Sequence, residues 1–442
     1  MWWIAVALAA DPLETSATVH QLPNGLTVVL EEDHRADVVA LHLRYRVGSR
    51  DEEPGEYGCA HLFEHLMFEG SRNVPGNQFD VLLTDAGGQN NAWTSEDATA
   101  YHMTFPAGAA DLALFLESDR MGFLLDGVTQ INLENQQSVV LQERAEGLTA
   151  PHGRDQDTIS KLLFPESHPY SHPVIGTVAD VEGFNIEAVE GFWREHYRPR
   201  NAVLVLVGDF ETGAMLDKVT HWFSDVPDPG PAAARAETAP DPGSARDGLI
   251  EDSVDGRTLF LLWPIPERSH PDFPALDLLS YILSSGRGSR LDDAVYFGSR
   301  IATDDNAYAY GADLDGSFQL YVTTPHTSLK KIDKKVSKVL AQLAKTPPTV
   351  AELERARGIF RNEILDDREY PEDRASALAD CLVRTGRPDC DKAVWEAYAK
   401  VTPEDVSRVI RTYLTAERRG TLSVVPYGDK GFLAGAATVE LP

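Results

Sequence analysis

The pentapeptide His61-Leu62-Phe63-Glu64-His65 constrains this chain more than any other stretch. Residues three and four apart share one face of a helix. One turn would therefore present two imidazoles and a carboxylate to a single point. Ala60, Leu62, Phe63, Leu66 and Met67 supply the apolar flank that a packed helix needs, and Gly70 follows as a stop. Two neutral imidazoles can hold a zinc ion, and a catalytic zinc takes a third protein ligand plus water. Glu64 then reads as the general base that receives a proton from that water, not as a ligand.

The chain around this motif is long, 442 residues, which exceeds one ordinary core and suggests several domains. Its composition, 43% hydrophobic and 25% charged, is that of a globular protein. Acidic residues outnumber basic ones, 69 to 40, for a formal charge of -29. That balance argues against nucleic acid or an anionic membrane as partner. Apolar residues fill Met1 to Ala10, and Ala7-Leu8-Ala9 resembles a cleavage site, but a basic start is missing. A signal would place the protein in the periplasm or outside the cell; otherwise it is cytoplasmic. No later apolar run is long enough to span a membrane. Of three cysteines, Cys59 directly precedes the motif, and Cys381 and Cys390 form either a local bridge or two free thiols.

Alternation predicts strands over 19–30, broken at Pro23-Asn24-Gly25, and over 38–47. A helix over 79–86 ends at Gly87-Gly88, and a hairpin follows over 90–105. Helices are expected over 109–125 and 135–146, and a helix over 186–197 leads into a strand at 202–207. The last pairing returns near the C-terminus, as a helix over 403–413 and a strand over 421–425, with Tyr197 and Tyr413 in register. This is the mark of an internal duplication. Residues 226–245 are rich in Pro, Ala and Gly, as in an extended linker. The chain thus divides into an N-terminal segment 1–14, a metal-bearing domain 15–225, the linker, and a second domain 246–442. The helix expected over 273–283 occupies the motif's position in the second half but has neither His nor Glu.

By composition Glu134, Glu143 and Glu146 all compete for the third ligand, and Glu143 in Val139-Val140-Leu141-Gln142-Glu143 is the best candidate. Here the first half resembles the pitrilysin/insulinase family of inverted-motif zinc metallopeptidases. That family carries H-x-x-E-H and, downstream, a segment like E-R-x-x-V-x-x-E; residues 136–143 read Q-Q-S-V-V-L-Q-E. The resemblance implies Glu143 as the third zinc ligand and Gln136 where the family has a supporting glutamate. Gly87 to Thr94 is similar to the family's G-G-x-x-N-A-x-T, which implies substrate binding by strand addition at Asn91 and Ala92. Glu117 to Met121, His168-Pro169-Tyr170 and Ile175-Gly176-Thr177 match landmarks read as structural.

The resemblance implies an α+β fold of two homologous halves, each a mostly antiparallel sheet with helices packed on one face. It implies one Zn2+ per chain and hydrolysis of peptides. Complete members carry an arginine and a tyrosine after a Ser-Arg-Leu segment. Ser289-Arg290-Leu291 is present, but those positions fall on Tyr296 and Thr303, with Arg300 and Tyr308 or Tyr310 as substitutes. The expected partner is a second, related chain that supplies the pair in a heterodimer, with a homodimer as the alternative. A non-catalytic assembly subunit that keeps the fold is the competing reading.

Overall fold

In a computed structural model of the chain, the described residues are 13–76, 78–228, 230, 235–433 and 437–438. The apolar stretch Met1 to Ala10 lies outside them. The first half runs β1 (Thr18–Gln21), β2 (Thr27–Glu32), β3 (Val39–Tyr45), α1 (Cys59–Leu66), α2 (Gln78–Asp85), β4 (Gln89–Thr94), β5 (Thr99–Phe105), α3 (Ala110–Phe123), α4 (Gln130–Thr149), α5 (Asp155–Leu163), α6 (Val178–Gly183), α7 (Ile186–His196), β6 (Ala202–Gly208) and α8 (Thr212–Phe223). The second runs β7 (Gly248–Asp252), β8 (Arg257–Ile265), α9 (Phe273–Ser284), β9 (Asp304–Gly311), β10 (Gly316–Thr324), α10 (Leu329–Lys345), α11 (Val350–Asp366), α12 (Pro371–Thr385), α13 (Asp391–Lys400), α14 (Pro403–Tyr413), β11 (Gly420–Pro426) and β12 (Ala437–Thr438).

The strands form two six-stranded sheets of matching order, β1-β2-β6-β3-β5-β4 and β12-β7-β11-β8-β10-β9. The duplication inferred from Tyr197 and Tyr413 is thus a duplication of sheets. Three neighbouring pairs at one end of each sheet are antiparallel, and β2–β6 and β7–β11 are parallel in both. The halves differ at the outer edge: β1 meets β2 antiparallel, whereas β12 comes from the chain's end and meets β7 parallel.

Each half packs its own helices on one sheet face. In the first, Leu62, Phe63 and Leu66 of α1, Leu114 of α3 and Val189 of α7 close over Leu41, Leu43, Tyr101 and Leu204. The opposite faces are covered by an exchange. From the second half, α12 lays Ala375, Leu378, Ala379 and Leu382 on Val29, Ala40, Val203, Val205 and Val207 of the first sheet. In return, α5 sets Ile159, Leu162 and Leu163 on Ile250, Phe260, Leu262, Leu422 and Val424 of the second. Every residue of β6 is buried, as expected of a strand covered on both sides. Polar contacts reinforce the exchange: Arg374 pairs with Asp33 at 2.5 Å and Asp380 with Arg44 at 3.2 Å, and Glu372 meets His102 Nδ1 at 2.6 Å.

Cys381 and Cys390 are joined, tying the end of α12 to the start of α13; Cys59 is free and buried. Among the described residues no helix is long and apolar enough to cross a membrane.

Candidate metal centre

The motif forms α1, and its position is fixed from below and from its N-terminus. Cys59, Ala60, Leu62, Phe63 and Leu66 are buried, which leaves His61, Glu64 and His65 on the other face. Tyr101 donates from its hydroxyl to the carbonyl of Phe63 at 3.0 Å. The first helical N–H groups have no partner within a helix. Here the buried Glu52 carboxylate accepts from the Gly58 N–H at 2.9 Å and the Ala60 N–H at 2.8 Å. The chain turns into the helix at Gly58 with φ 99°, where an added Cβ would stand 2.7 Å from the carbonyl oxygen of Ile175. Glycine is therefore required on two counts.

Glu143 comes from α4, one element away in space and well separated in sequence. His61 Nε2 lies 3.8 Å from Glu143 Oε1, and His65 Nε2 lies 3.4 Å from Glu143 Oε2. All three donor atoms fall within 4.8 Å of one another. The sequence rivals point elsewhere. Glu134 takes a hydrogen bond from Gln130 and Glu146 one from Gln142, each along the exposed side of α4. Gln136 does not touch the three donors. Its amide donates to Glu69 Oε1 at 2.6 Å, and Asn132 donates to Glu69 Oε2 at 3.0 Å. Glu69 follows α1 directly, so this pair of bonds fixes α4 against the motif helix.

The electrostatics suit a cation. Burial, with the nearby His65 second, pushes His61 down to about 4. It is a neutral imidazole at pH 7, the form that ligates metals. The His61 Nδ1 atom is buried without a partner, while Nε2 faces Glu143. Two imidazole nitrogens and one carboxylate converging on one point, with solvent on the far side of the half-exposed Glu143, are the donor set of a zinc site that keeps a coordination position open. The residues present fit that ion. A second cluster, Cys381, Cys390 and Asp391, has the right spacing, but its two sulfurs are bonded to each other.

Glu64 lies outside the three-donor cluster. Its Oε2 accepts from the Thr94 hydroxyl at 2.7 Å. Burial raises its carboxyl above the ordinary range, and the Thr94 hydrogen bond opposes that shift. Thr94 ends β4, the edge strand of the first sheet, which also carries Asn91 and Ala92. The Ala92 N–H is met locally, by Asn91 Oδ1 at 2.9 Å. The same pair recurs on the edge strand of the second sheet, where Asn306 Oδ1 accepts from the Ala307 N–H at 2.9 Å. There Ser284 of α9 also bonds both the N–H and the carbonyl of Ala307, at 2.9 and 3.1 Å. The second edge is capped by its own half; in the first, among the described residues, β5 is the strand that pairs with β4 and none follows on its outer side.

Of the expected arginine–tyrosine positions, Tyr296 is exposed on a π-helical turn, Asp292–Phe297, and Thr303 is exposed just beyond it. Arg290 pairs with Glu352 of α11 at 2.5 Å. Tyr308 donates to Gln319 at 2.6 Å, and Tyr310 crosses to the first half to donate to Glu96 at 2.8 Å. The landmarks at 117–121 build the floor: Arg120 pairs with Glu117 at 2.6 Å, fully buried, with Phe79 and Tyr101 rings 4.4 and 4.5 Å from its guanidinium.

Residues 27–161 match the family model described as Insulinase (Peptidase family M16), and residues 183–360 match the one described as Peptidase M16 inactive domain. Together they span more than two thirds of the chain. The chain belongs to the M16 peptidase family. His61, Glu64, His65 and Glu143 all fall in the first match, and the second begins within the first half, before α7. This M16 chain is 27% identical over 421 residues to the zinc protease PqqE of Helicobacter pylori, covering 92% of each chain. It is 26% identical over 417 residues to a Streptomyces coelicolor protein named an uncharacterized zinc protease, covering 92% of this chain and 89% of that one. A solved protease from Helicobacter pylori superposes with a TM-score of 0.85 at 25% identity, over 93% of this chain and 100% of the other. A Pseudomonas fluorescens structure described as a peptidase M16 inactive domain gives 0.83 at 19% identity, over 96% and 100%, and shows the shared fold.

Proposed function

We propose that the chain is a zinc-dependent endopeptidase whose metal is held by His61, His65 and Glu143, with Glu64 as the general base. The observation that carries this reading is the convergence of two Nε2 atoms and a carboxylate within 4.8 Å, beside a carboxylate on the same helix that is not part of the cluster. Zinc bound there would polarise a water molecule and lower its pKa. Everything else falls to the chain's own groups. Glu64 takes a proton from the attacking water and returns it to the nitrogen of the leaving amine. The substrate peptide lies along the open edge of β4, with its backbone replacing the local bond between Asn91 and Ala92. Gln136 and Asn132 hold α4, and with it Glu143, through Glu69.

The oxyanion of the developing tetrahedral centre needs donors. Neither Tyr296 nor Thr303 has the chemistry of an arginine–tyrosine pair with these roles, so a second, related chain supplies it in a heterodimer. The domain division at 226–245 belongs to the same proposal. Metal content tests the ligand set: the wild-type chain holds one zinc, and His61→Ala, His65→Ala and Glu143→Ala each lose it. Undiminished zinc in any two of these variants would refute the site.

A further inference from the structure

We propose that Thr94 is a positioning residue that ties the reactive carboxylate of Glu64 to the strand on which the substrate lies. The inference rests on the peptidase reading above and adds a role to a residue that sits on neither the metal nor the scissile bond.

The geometry runs from the core outward. Thr94 pairs in register with Thr99, which is fully buried. Thr99 donates from its hydroxyl to the carbonyl of Val47 at 2.9 Å and lies 3.4 Å from the Tyr197 hydroxyl. That hydroxyl also reaches the carbonyl of Ala60 in α1, at 3.4 Å. The backbone of Thr94 is therefore fixed relative to the motif helix. On the other face of the strand, Trp93 is held under the Arg44 guanidinium, 5.6 Å from its ring centre. Successive strand residues face opposite ways, so Ala92 and Thr94 share the face toward α1.

A threonine side chain has few rotamers, because two heavy atoms branch at Cβ. Its hydroxyl arrives 2.7 Å from Glu64 Oε2 along a stiff path. The terminal torsion of a free glutamate is broad. One donor on Oε2 removes that freedom and directs Oε1 toward the incoming water. Because the donor and the open Ala92 N–H lie on one strand, a peptide that adds to β4 is placed in a fixed register with the base.

The test uses the full chain, with its partner if one co-purifies. Thr94→Val keeps shape and loses the donor; Thr94→Ser keeps the donor. For Thr94→Val the expected result is a fall in kcat of about tenfold to hundredfold, the effect of one lost hydrogen bond to a charged group. KM should stay within about twofold. Zinc content and thermal midpoint stay at the wild-type value, and Thr94→Ser recovers most of the rate. A crystal structure of Thr94→Val is read alongside, whatever the activity: the Glu64 carboxylate should leave its wild-type place or occupy several rotamers. An unmoved Glu64, an undiminished kcat, or a loss confined to KM would each overturn the assignment. If the wild type cleaves nothing, the peptidase reading fails, and the position of Glu64 in the variant still decides the claim about Thr94.

Discussion

Replacing Glu52 by alanine should destabilise the protein markedly. The reason lies in two bonds. The buried Glu52 carboxyl accepts from Gly58 N–H at 2.9 Å and Ala60 N–H at 2.8 Å, both at the start of the motif helix. Alanine leaves both donors in the core without partners. A buried unsatisfied donor costs about 1–3 kcal/mol, so the pair costs about 2–6 kcal/mol. Glutamine keeps one carbonyl oxygen and should cost about half as much. Burial pushes the Glu52 carboxyl above its ordinary value, and the hydrogen bonds from Gly58 and Ala60 oppose that shift. The assay is guanidinium chloride denaturation followed by circular dichroism on wild type, Glu52→Gln and Glu52→Ala, at matched zinc. The alanine variant should also hold zinc more weakly, because His61 follows the freed turn directly. Stability of Glu52→Ala within about 0.5 kcal/mol of wild type, the range of an ordinary surface change, would refute this account of what anchors α1.

Further outcomes follow from other sites. Burial lifts Asp277 from 3.8 to about 6, against the Tyr398 hydroxyl that donates to it at 2.8 Å. A raised carboxyl favours the folded state below the unfolded pKa, and this contribution is lost as pH rises through about 6. Asp277→Asn should therefore flatten stability between pH 4 and 6 and add up to about 3 kcal/mol above it, as measured by urea melts across pH. Leu378→Ala should cost about 2–5 kcal/mol and expose α12 and β6 to hydrogen exchange, since Leu378 packs on the first sheet. Cys381→Ser with Cys390→Ser opens a short loop and should cost about 2–3 kcal/mol in the same melts under oxidising conditions. Gln136→Glu should lower zinc affinity by about tenfold, because it sets a second carboxylate where an amide now donates to Glu69 Oε1 at 2.6 Å; competition with a chromogenic chelator measures it.

Much of this was legible in the chain itself. The motif helix announced itself through spacing, because three polar side chains on one face and a run of apolar ones on the other allow few other structures. The sheets were visible in Leu26 to Leu30, in Val38 to Val47 and in Thr99 to Phe105, where alternation and β-branching agree. The ends of α4 were not. Sequence reading starts it at Asn135, yet it runs from Gln130, capped by the Thr129 side chain on the Asn132 N–H. Its buried positions include Gln137 and Arg144, so it shows little apolar periodicity; Gln137 is satisfied instead by the carbonyls of Val181 and Phe184. Glu143 was the best of three candidates by sequence, and the family resemblance singled it out, for its surroundings on α4 are those of an exposed surface glutamate.

The exchange of α5 and α12 could not be read from local pattern, because each helix covers a sheet far away in sequence. The run Ala202 to Val207 held the one hint, since a strand apolar on both faces needs cover on both. The bond between Cys381 and Cys390 depends on the same docking of α12 beside α13. Thr94 lay inside a recognisable segment, but its partner Glu64 was assigned on a different element, and only the folded chain brings the two within 2.7 Å.

The central claim is that Glu64 moves the proton in a zinc peptidase. The most direct measurement is hydrolysis of a mixed peptide library by the chain purified with whatever protein it retains, for wild type and Glu64→Gln, with zinc measured in both. The account predicts one zinc in each, cleavage by the wild type, and a rate lower by about a hundredfold to ten-thousandfold in the variant. Equal cleavage by both would remove Glu64 from the chemistry. Equal zinc with no cleavage by either would make the chain a non-catalytic assembly subunit.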